Sequence, residues 1–325
     1  MKRFMALLSV IFIFGCAGAD TGDDRSATLR LGWIPSGSFS GEISGKALFA
    51  EEFGLDLEIR PGGPGINTVS LVASGQDTFG TLSADEVFLA NESGADLVII
   101  GVINDITPGA FVALESSGIT SPNDFVGRTV GVLPFGSTTV LYEALLAVTG
   151  VDRRQVTERT ISPDLRPFLD GVYDVHPVFV YDETVTLDNL GVDYAVIHPQ
   201  DYGITFKGPV YFTRREIVER RPELVDAFVK TMIEGWLHAL ENPEDAIARL
   251  HEFDNAVDRD RELSVLRAGT EYFRAYQGQP LNSDPQSWVE MVDLLVEFDR
   301  LQAAPDLERV LQLRWVREYH GAQGR

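Results

Sequence analysis

Cysteine is the scarcest resource in this chain of 325 residues: there is one, Cys16. A single thiol excludes an internal disulfide and any thiolate metal cluster. Positive charge is also scarce, with 27 Lys and Arg against 49 Asp and Glu and a formal net charge of -22. A polyanion binder needs a basic footprint to release counterions, so nucleic acid is excluded as a partner, and adsorption to an anionic leaflet is disfavoured on the same ground. Histidine is sparse and scattered at positions 176, 198, 238, 251 and 320, never in a metal-ligand spacing such as H-E-x-x-H. Walker loops, G-x-S-x-G elbows and paired Cys/His arrangements are missing, so neither a resident metal nor a cofactor is expected. A glycine-rich loop at residues 62–65 lacks the Lys-Ser/Thr pair of a phosphate loop. With 44% hydrophobic residues and 10% aromatics, the chain has enough apolar surface to bury a sizeable core.

Long hydrophobic runs are missing too. The longest begins the chain: Lys2 and Arg3 precede an apolar stretch over residues 4–14, then Gly15 and Cys16. Spanning a bilayer takes about 20 apolar residues, so this stretch reads as an export signal over residues 1–15. Ile13-Phe14-Gly15-Cys16 resembles a bacterial lipobox, which implies lipidation of Cys16 and a flexible polar tether over residues 16–26. Loss of Lys2 and Arg3 with the signal takes the charge from -22 to -24. The exported protein is therefore expected to meet the membrane through its lipid and a partner alone.

From Ala27 onward, short β-like runs alternate with helical stretches, the pattern of an α/β protein with largely parallel sheets. Strands are expected at residues 28–33, 55–59, 78–80 and 97–103, with helices at 41–53, 69–73 and 84–91. The nearly unbroken apolar run at 97–103 is what a sheet covered on both faces demands. Residues 115–125 read as a crossing into a second α/β unit, with a strand at 129–133, a loop at 134–137, a helix at 138–149 and a last strand at 194–197. A return strand at 210–212 precedes an almost wholly helical C-terminal part, beginning with an apolar face of Leu224, Phe228, Met232 and Trp236. The expected organisation is one lobe from residues 27–114 and 206–325, a second lobe inserted at 115–205, and a ligand cleft between them.

An ordered series of short stretches carries a resemblance over nearly the whole exported chain. It comprises Leu31-Gly32-Trp33-Ile34-Pro35, Pro61-Gly62-Gly63, Ser74-Gly75-Gln76-Asp77 leading to Ser83-Ala84-Asp85, Leu169-Asp170-Gly171, Tyr181-Asp182-Glu183, Asp201-Tyr202-Gly203 and Arg221-Pro222-Glu223-Leu224. The series resembles the periplasmic solute-binding proteins of ABC importers that include the thiamine-pyrimidine-precursor and alkanesulfonate binders. The resemblance implies a two-lobed type II periplasmic-binding-protein fold, no catalysis, a small-molecule solute, ABC permease subunits as partners and a monomeric, exported protein. It also exposes a departure: where the pyrimidine-precursor binders carry an Asn-His-type loop, this chain has Ser36-Gly37-Ser38-Phe39-Ser40-Gly41-Glu42.

Candidate ligand-binding residues follow. Trp33 offers a flat face for stacking, with Tyr202 expected to close from the opposite side. Ser38, Phe39 and Ser40 precede a helix N-terminus, and Gly63 permits close backbone approach. Ser83 is expected to cap the helix that opens at Ala84, beside Asp85. Gly136, Ser137, Thr138 and Thr139 open a helix in the second lobe and offer N–H groups and hydroxyls. Tyr181 and Glu183 supply an aromatic face and an acceptor for an exocyclic amine, and His176 and His198 lie near the same loops. These loops hold no arginine, which favours a neutral or amine-bearing heterocycle over a sulfonate.

Overall fold

Aliphatic runs broken at glycine build two five-stranded sheets, seen in a computed structural model that describes residues 25–134 and 136–324. The export signal and Cys16 lie outside the described residues, as does the tether up to residue 24. The first sheet holds β1 (Ser26–Arg30), β2 (Asp56–Arg60), β3 (Phe79–Ser83), β4 (Leu97–Val102) and, from much later in the chain, β10 (Pro209–Arg214). Its order is β2-β1-β3-β10-β4; β1 runs parallel to β2 and β3, while β10 is antiparallel to both of its neighbours. Helices α1 (Ser40–Leu48), α2 (Thr68–Ala73) and α3 (Ala84–Glu92) alternate with these strands. Every residue of β4 is buried, as its composition predicts.

The second sheet comprises β5 (Gly109–Leu114), β6 (Thr129–Val132), β7 (Thr157–Thr160), β8 (Val175–Phe179) and β9 (Tyr194–Ile197), in the order β7-β6-β8-β5-β9. Helices α4 (Ser137–Thr149), α5 (Arg166–Leu169) and α6 (Glu183–Asn189) flank it. This corrects the boundary expected at residue 114. The chain leaves the first sheet after Val102, and β5 pairs antiparallel with β8 and β9. Gly-Ala-Phe-Val-Ala-Leu is as apolar as β4, so composition alone assigns it to neither sheet; the ladder that decides lies more than 60 residues away.

Residues 103–108 and 204–208 carry the chain between the sheets and are bonded to each other. Thr107 N–H donates to the Phe206 carbonyl (2.8 Å) and Gly208 N–H to that of Asn104 (3.0 Å). The Lys207 ammonium, 2% exposed, donates to the Asp105 carboxylate (2.8 Å) and carbonyl (2.7 Å). Lys207→Met is expected to cost about 3 kcal/mol in denaturant unfolding, because it strands the Asp105 charge, with recovery in the double variant carrying Asp105→Asn. Equal stability of Lys207→Met and wild type would remove the pair from the account of this hinge.

After β10 the chain is helical: α7 (Arg215–Arg220), α8 (Pro222–Glu241), α9 (Pro243–Phe253), α10 (Arg259–Ala268), α11 (Thr270–Phe273), α12 (Pro285–Glu297), α13 (Leu307–Val310) and α14 (Arg314–Ala322). The apolar face of α8 is buried as its spacing predicts. Tyr211 of β10 meets Phe228 and Trp236 of α8, whereas the next residue, Phe212, touches Gly80 near Val72 of α2. Alternation along β10 thus sets α8 and α2 on opposite faces of the first sheet. The crossing of α1 and α8 is closed by glycine: a Cβ at Gly41 would lie 2.2 Å from the Trp236 ring, and one at Gly235 would lie 2.2 Å from the Gly41 carbonyl oxygen.

Candidate functional site

The ends of β1, β3 and β4 feed the starts of α1 and α3 and the hinge, and buried polar groups gather there. Ser40 Oγ has no hydrogen-bond partner among the described residues, and neither carboxyl oxygen of Glu42 has one. Burial pushes the Glu42 carboxyl up to about 8, with the facing Tyr211 phenol offsetting only part of the cost. The Tyr211 hydroxyl accepts from Trp236 Nε1 (2.9 Å), Trp236 stacks on Phe273 of α11 (4.5 Å between centroids), and Phe273 meets Tyr181 (5.0 Å). Tyr181 stands at the β8–α6 corner of the second sheet, and its hydroxyl donates to Asn104 Oδ1 in the hinge (3.4 Å). An aromatic wall therefore runs from one lobe to the other.

Asn104 joins this wall to a second acid. Gly208 lies so close that a Cβ there would sit 2.7 Å from Asn104 Cβ, and the Gly208 carbonyl accepts from Ala84 N–H (3.3 Å). Next to Ala84, Asp85 is fully buried, and neither of its carboxyl oxygens nor Asn104 Nδ2 has a partner among the described residues. Burial raises the Asp85 carboxyl to about 6 against the pull of Arg300. Buried polar groups are expensive unless satisfied, so the open ones on two helix starts and on the segment between the sheets make this region the candidate site.

Ion pairs fasten the lobes on either side. Arg261 of α10 binds Asp182 of the second lobe and Glu262 (2.6 Å), and the other Glu262 oxygen accepts from Gly37 N–H (2.6 Å) in the turn before α1. Arg300 donates to Glu143 of α4 (3.0 Å). The candidate loops do lack arginine, but the fold brings two to the seam, Arg261 from α10 and Arg300 from the turn after α12, which corrects the expectation of a cleft without arginine.

The profile described as NMT1/THI5 like matches residues 45–246. The chain belongs to this family. The NMT1/THI5-like chain is 25% identical to the formylaminopyrimidine-binding protein of Halalkalibacterium halodurans over 93% of its own length and 94% of that protein. It is also 25% identical to the 4-amino-5-hydroxymethyl-2-methylpyrimidine phosphate synthase of Legionella pneumophila, over 67% of its own length and 71% of that protein. In fold it is similar to the periplasmic aliphatic sulphonate binding protein of Escherichia coli, with a TM-score of 0.69 at 16% identity, covering 89% of this chain and 92% of that one. The two-lobed periplasmic-binding-protein architecture is thereby shared. No helix among the described residues is long and apolar enough to cross a membrane.

In this NMT1/THI5-like protein the expected residues fall into four groups. Ser40, Asp85 and Tyr181 stand at the open polar groups and the aromatic wall. Phe39 is buried in the core beside Ser40, Ser38 bonds Ser36 (2.7 Å between hydroxyls), and the buried Ser137 and Thr138 open α4 after Gly136, whose φ of +105° needs glycine. Gly63, at φ +138°, lies against Ile34, and half-buried Trp33 accepts at its carbonyl from Gly62 N–H (3.0 Å).

Others are spent elsewhere. Ser83 makes no capping bond to α3. The Thr139 hydroxyl donates to the Leu133 carbonyl (2.8 Å), and Glu183 accepts from Phe179 N–H (2.7 Å), tying down its own corner. Burial and the neighbouring Asp182 raise the Glu183 carboxyl to about 8. Tyr202 is half-buried within the field of Asp201 and Asp124 and makes no ring contact with Trp33. His176 is locked in the second lobe's own core against Tyr173 (2.8 Å), and burial lowers it to about 4.

Glu42, Asn104, Tyr211 and Phe273 escaped the sequence reading. An acid in a helix's first turn ordinarily faces water and the helix dipole. The available signal was Ser40-Gly41-x-x-Ser44-Gly45, a stripe of small residues that announces close packing around α1.

Proposed function

We propose that this protein is an extracytoplasmic solute-binding protein of an ABC importer, held at the membrane by a lipid on Cys16 and acting as a monomer. Its two lobes close over a small heteroaromatic solute such as a thiamine pyrimidine precursor and present the closed form to permease subunits. The observation that carries this reading is the set of buried, unpartnered groups of Ser40, Glu42, Asp85 and Asn104 beside an aromatic wall that spans both lobes. Aromatic faces suit a flat ring, and fixed polar groups orient it. Trp33, Ser38, Phe39, Gly63, Ser83 and Tyr202 in one rim, with Gly136, Ser137, Thr138, Thr139, Tyr181 and Glu183 in the other, are the proposed surroundings. The relative named as a formylaminopyrimidine binder supports the choice of solute.

A thermal-shift series with aminopyrimidines, thiamine, riboflavin, sulfonates and polyamines tests it. A true solute at 100 times its Kd adds about 2.7 kcal/mol to native stability and raises the melting temperature. A shift produced by sulfonates alone would refute the heteroaromatic reading. The relative named as a synthase favours a second reading, an enzyme on the same fold. That reading requires turnover: a bound pyrimidine recovered chemically unchanged after prolonged incubation refutes it.

A further inference from the structure

We propose that the ion pairs Arg261–Asp182 and Arg300–Glu143 form a reversible clasp that sets whether the lobes stand together or apart, with Lys207–Asp105 as the fixed pivot between them. The inference rests on the lobe motion of the proposed function. Its test needs no solute, so failure to bind any of the compounds offered above leaves the clasp standing, and failure of the clasp leaves the choice of solute standing.

Three observations carry it. First, each pair joins an arginine of the C-terminal part to a different element of the inserted lobe. Arg261 holds Asp182 just before α6 and, from Nε, the Thr186 hydroxyl within it (3.4 Å). Arg300 holds Glu143 of α4 (3.0 Å). Second, both arginines are fixed to the first lobe. A Cβ at Gly37 would lie 2.3 Å from the Glu262 carbonyl oxygen, and Gly37 N–H donates to the Glu262 carboxylate, so α10 is seated on the turn before α1. Two residues past Arg300, Gln302 N–H donates to Glu92 at the end of α3 (2.6 Å). Neither arginine can follow the second lobe when it moves away.

Third, the pairs are built to part. Arg261 also holds Glu262 of its own lobe (2.6 Å), and Glu143 also holds Arg153 of its own (3.0 Å). Opening therefore leaves both with a charge partner. The members that lose theirs, Asp182 and Arg300, have side chains already 23% and 33% exposed, so water takes over. The pivot differs in burial. Lys207 is 2% exposed, and Asp105 also accepts from the Ser283 hydroxyl, which accepts in turn from Trp288 Nε1 (2.7 Å). Breaking a buried pair strands a charge, whereas a pair that water reaches is weak and screened by salt. The seam yields before the pivot does.

Small-angle X-ray scattering of the solute-free full chain tests this at low salt and at about 1 M sodium chloride, where the screening length is about 3 Å. Three proteins are compared: wild type, Arg261→Gln with Arg300→Gln, and a control, Arg154→Gln with Arg220→Gln. The control removes the same charge from pairs whose members lie close together in one lobe, Arg154–Asp152 and Arg220–Glu216. Each clasp pair lost is expected to raise the ratio of open to closed molecules by up to about five-fold. The radius of gyration of wild type and control should grow with salt. That of the clasp variant should be larger from the start and indifferent to salt, with an unchanged far-ultraviolet circular dichroism spectrum. A clasp variant that scatters as wild type does at both salts overturns the proposal, as does a control that opens as far, since lost positive charge then explains the opening. If the clasp variant unfolds, wild type decides alone: a radius that stays constant from low to high salt overturns the clasp.

Discussion

Gly235→Ala should lower the melting temperature by roughly 5–10 °C, a large effect for the addition of a single methyl group. Its Cβ would lie 2.2 Å from the Gly41 carbonyl oxygen and 2.5 Å from both N and Cα of Gly45. These are backbone atoms, which cannot rotate aside, so α1 or α8 must shift as a unit. Overpacking of this kind costs about 1–3 kcal/mol and sometimes more, and each kcal/mol is worth about 2–4 °C in a chain of this size class. The displaced helix is the one that carries Ser40 and Glu42, so solute binding should fall with stability. Gly321→Ala is the control: nothing lies within 4 Å of its added Cβ, and it sits inside α14. There alanine's helical preference should stabilise by about 0.5–1 kcal/mol. Two variants with the same melting temperature would show that the crossing has slack.

The second large effect concerns pH. Glu42 titrates near 8 in the folded protein and near its ordinary value of 4.5 when unfolded. Between those values the folded state holds a proton that the unfolded state has released, so stability must fall as pH rises through this window. The slope from one such group is about 1.4 kcal/mol per pH unit. Glu86 and Glu183 are also raised to about 8, and Asp85 is raised, all by burial, so they act in the same direction. His176 opposes them: lowered to about 4, it gains stability as pH rises from 4 toward 6.5, and then stops. The decline should therefore be clearest from pH 6.5 to 8. Urea unfolding of the solute-free protein at half-unit steps measures it, and Glu42→Gln should flatten the slope. A stability maximum at pH 8 would mean that these carboxyls are ionised and solvated in solution.

How much of this was legible follows from where each residue's partner lies in the chain. The buried strand β4 and the apolar face of α8 are written in local periodicity, and the structure keeps both. The assignment of β5 is not, because its ladder with β8 and β9 is nonlocal. Ser40, Asp85 and Tyr181 were candidates because helix starts after strands are where α/β clefts form, and they stand beside the buried open polar groups and the aromatic wall. Thr139 and Glu183 carry the same local signature, yet each is engaged by a backbone group of its own loop. Spacing cannot distinguish a hydroxyl aimed at a cleft from one turned back on its corner. Glu42 is the sharpest case: its composition says surface, and only the glycine contacts between α1 and α8 say otherwise.

The seam has a consequence for timing. Glu42 and Asp85 belong to the first third of the chain, but Arg261, Phe273 and Arg300, which bridge or wall the site, belong to its last quarter. A ribosome delivers these groups in that order, so both sheets are complete before the receptacle is. A nascent chain halted after α8 would own both sheets but neither Arg261, Phe273 nor Arg300. On the function proposed above, capture of a solute is in this way reserved for the finished molecule.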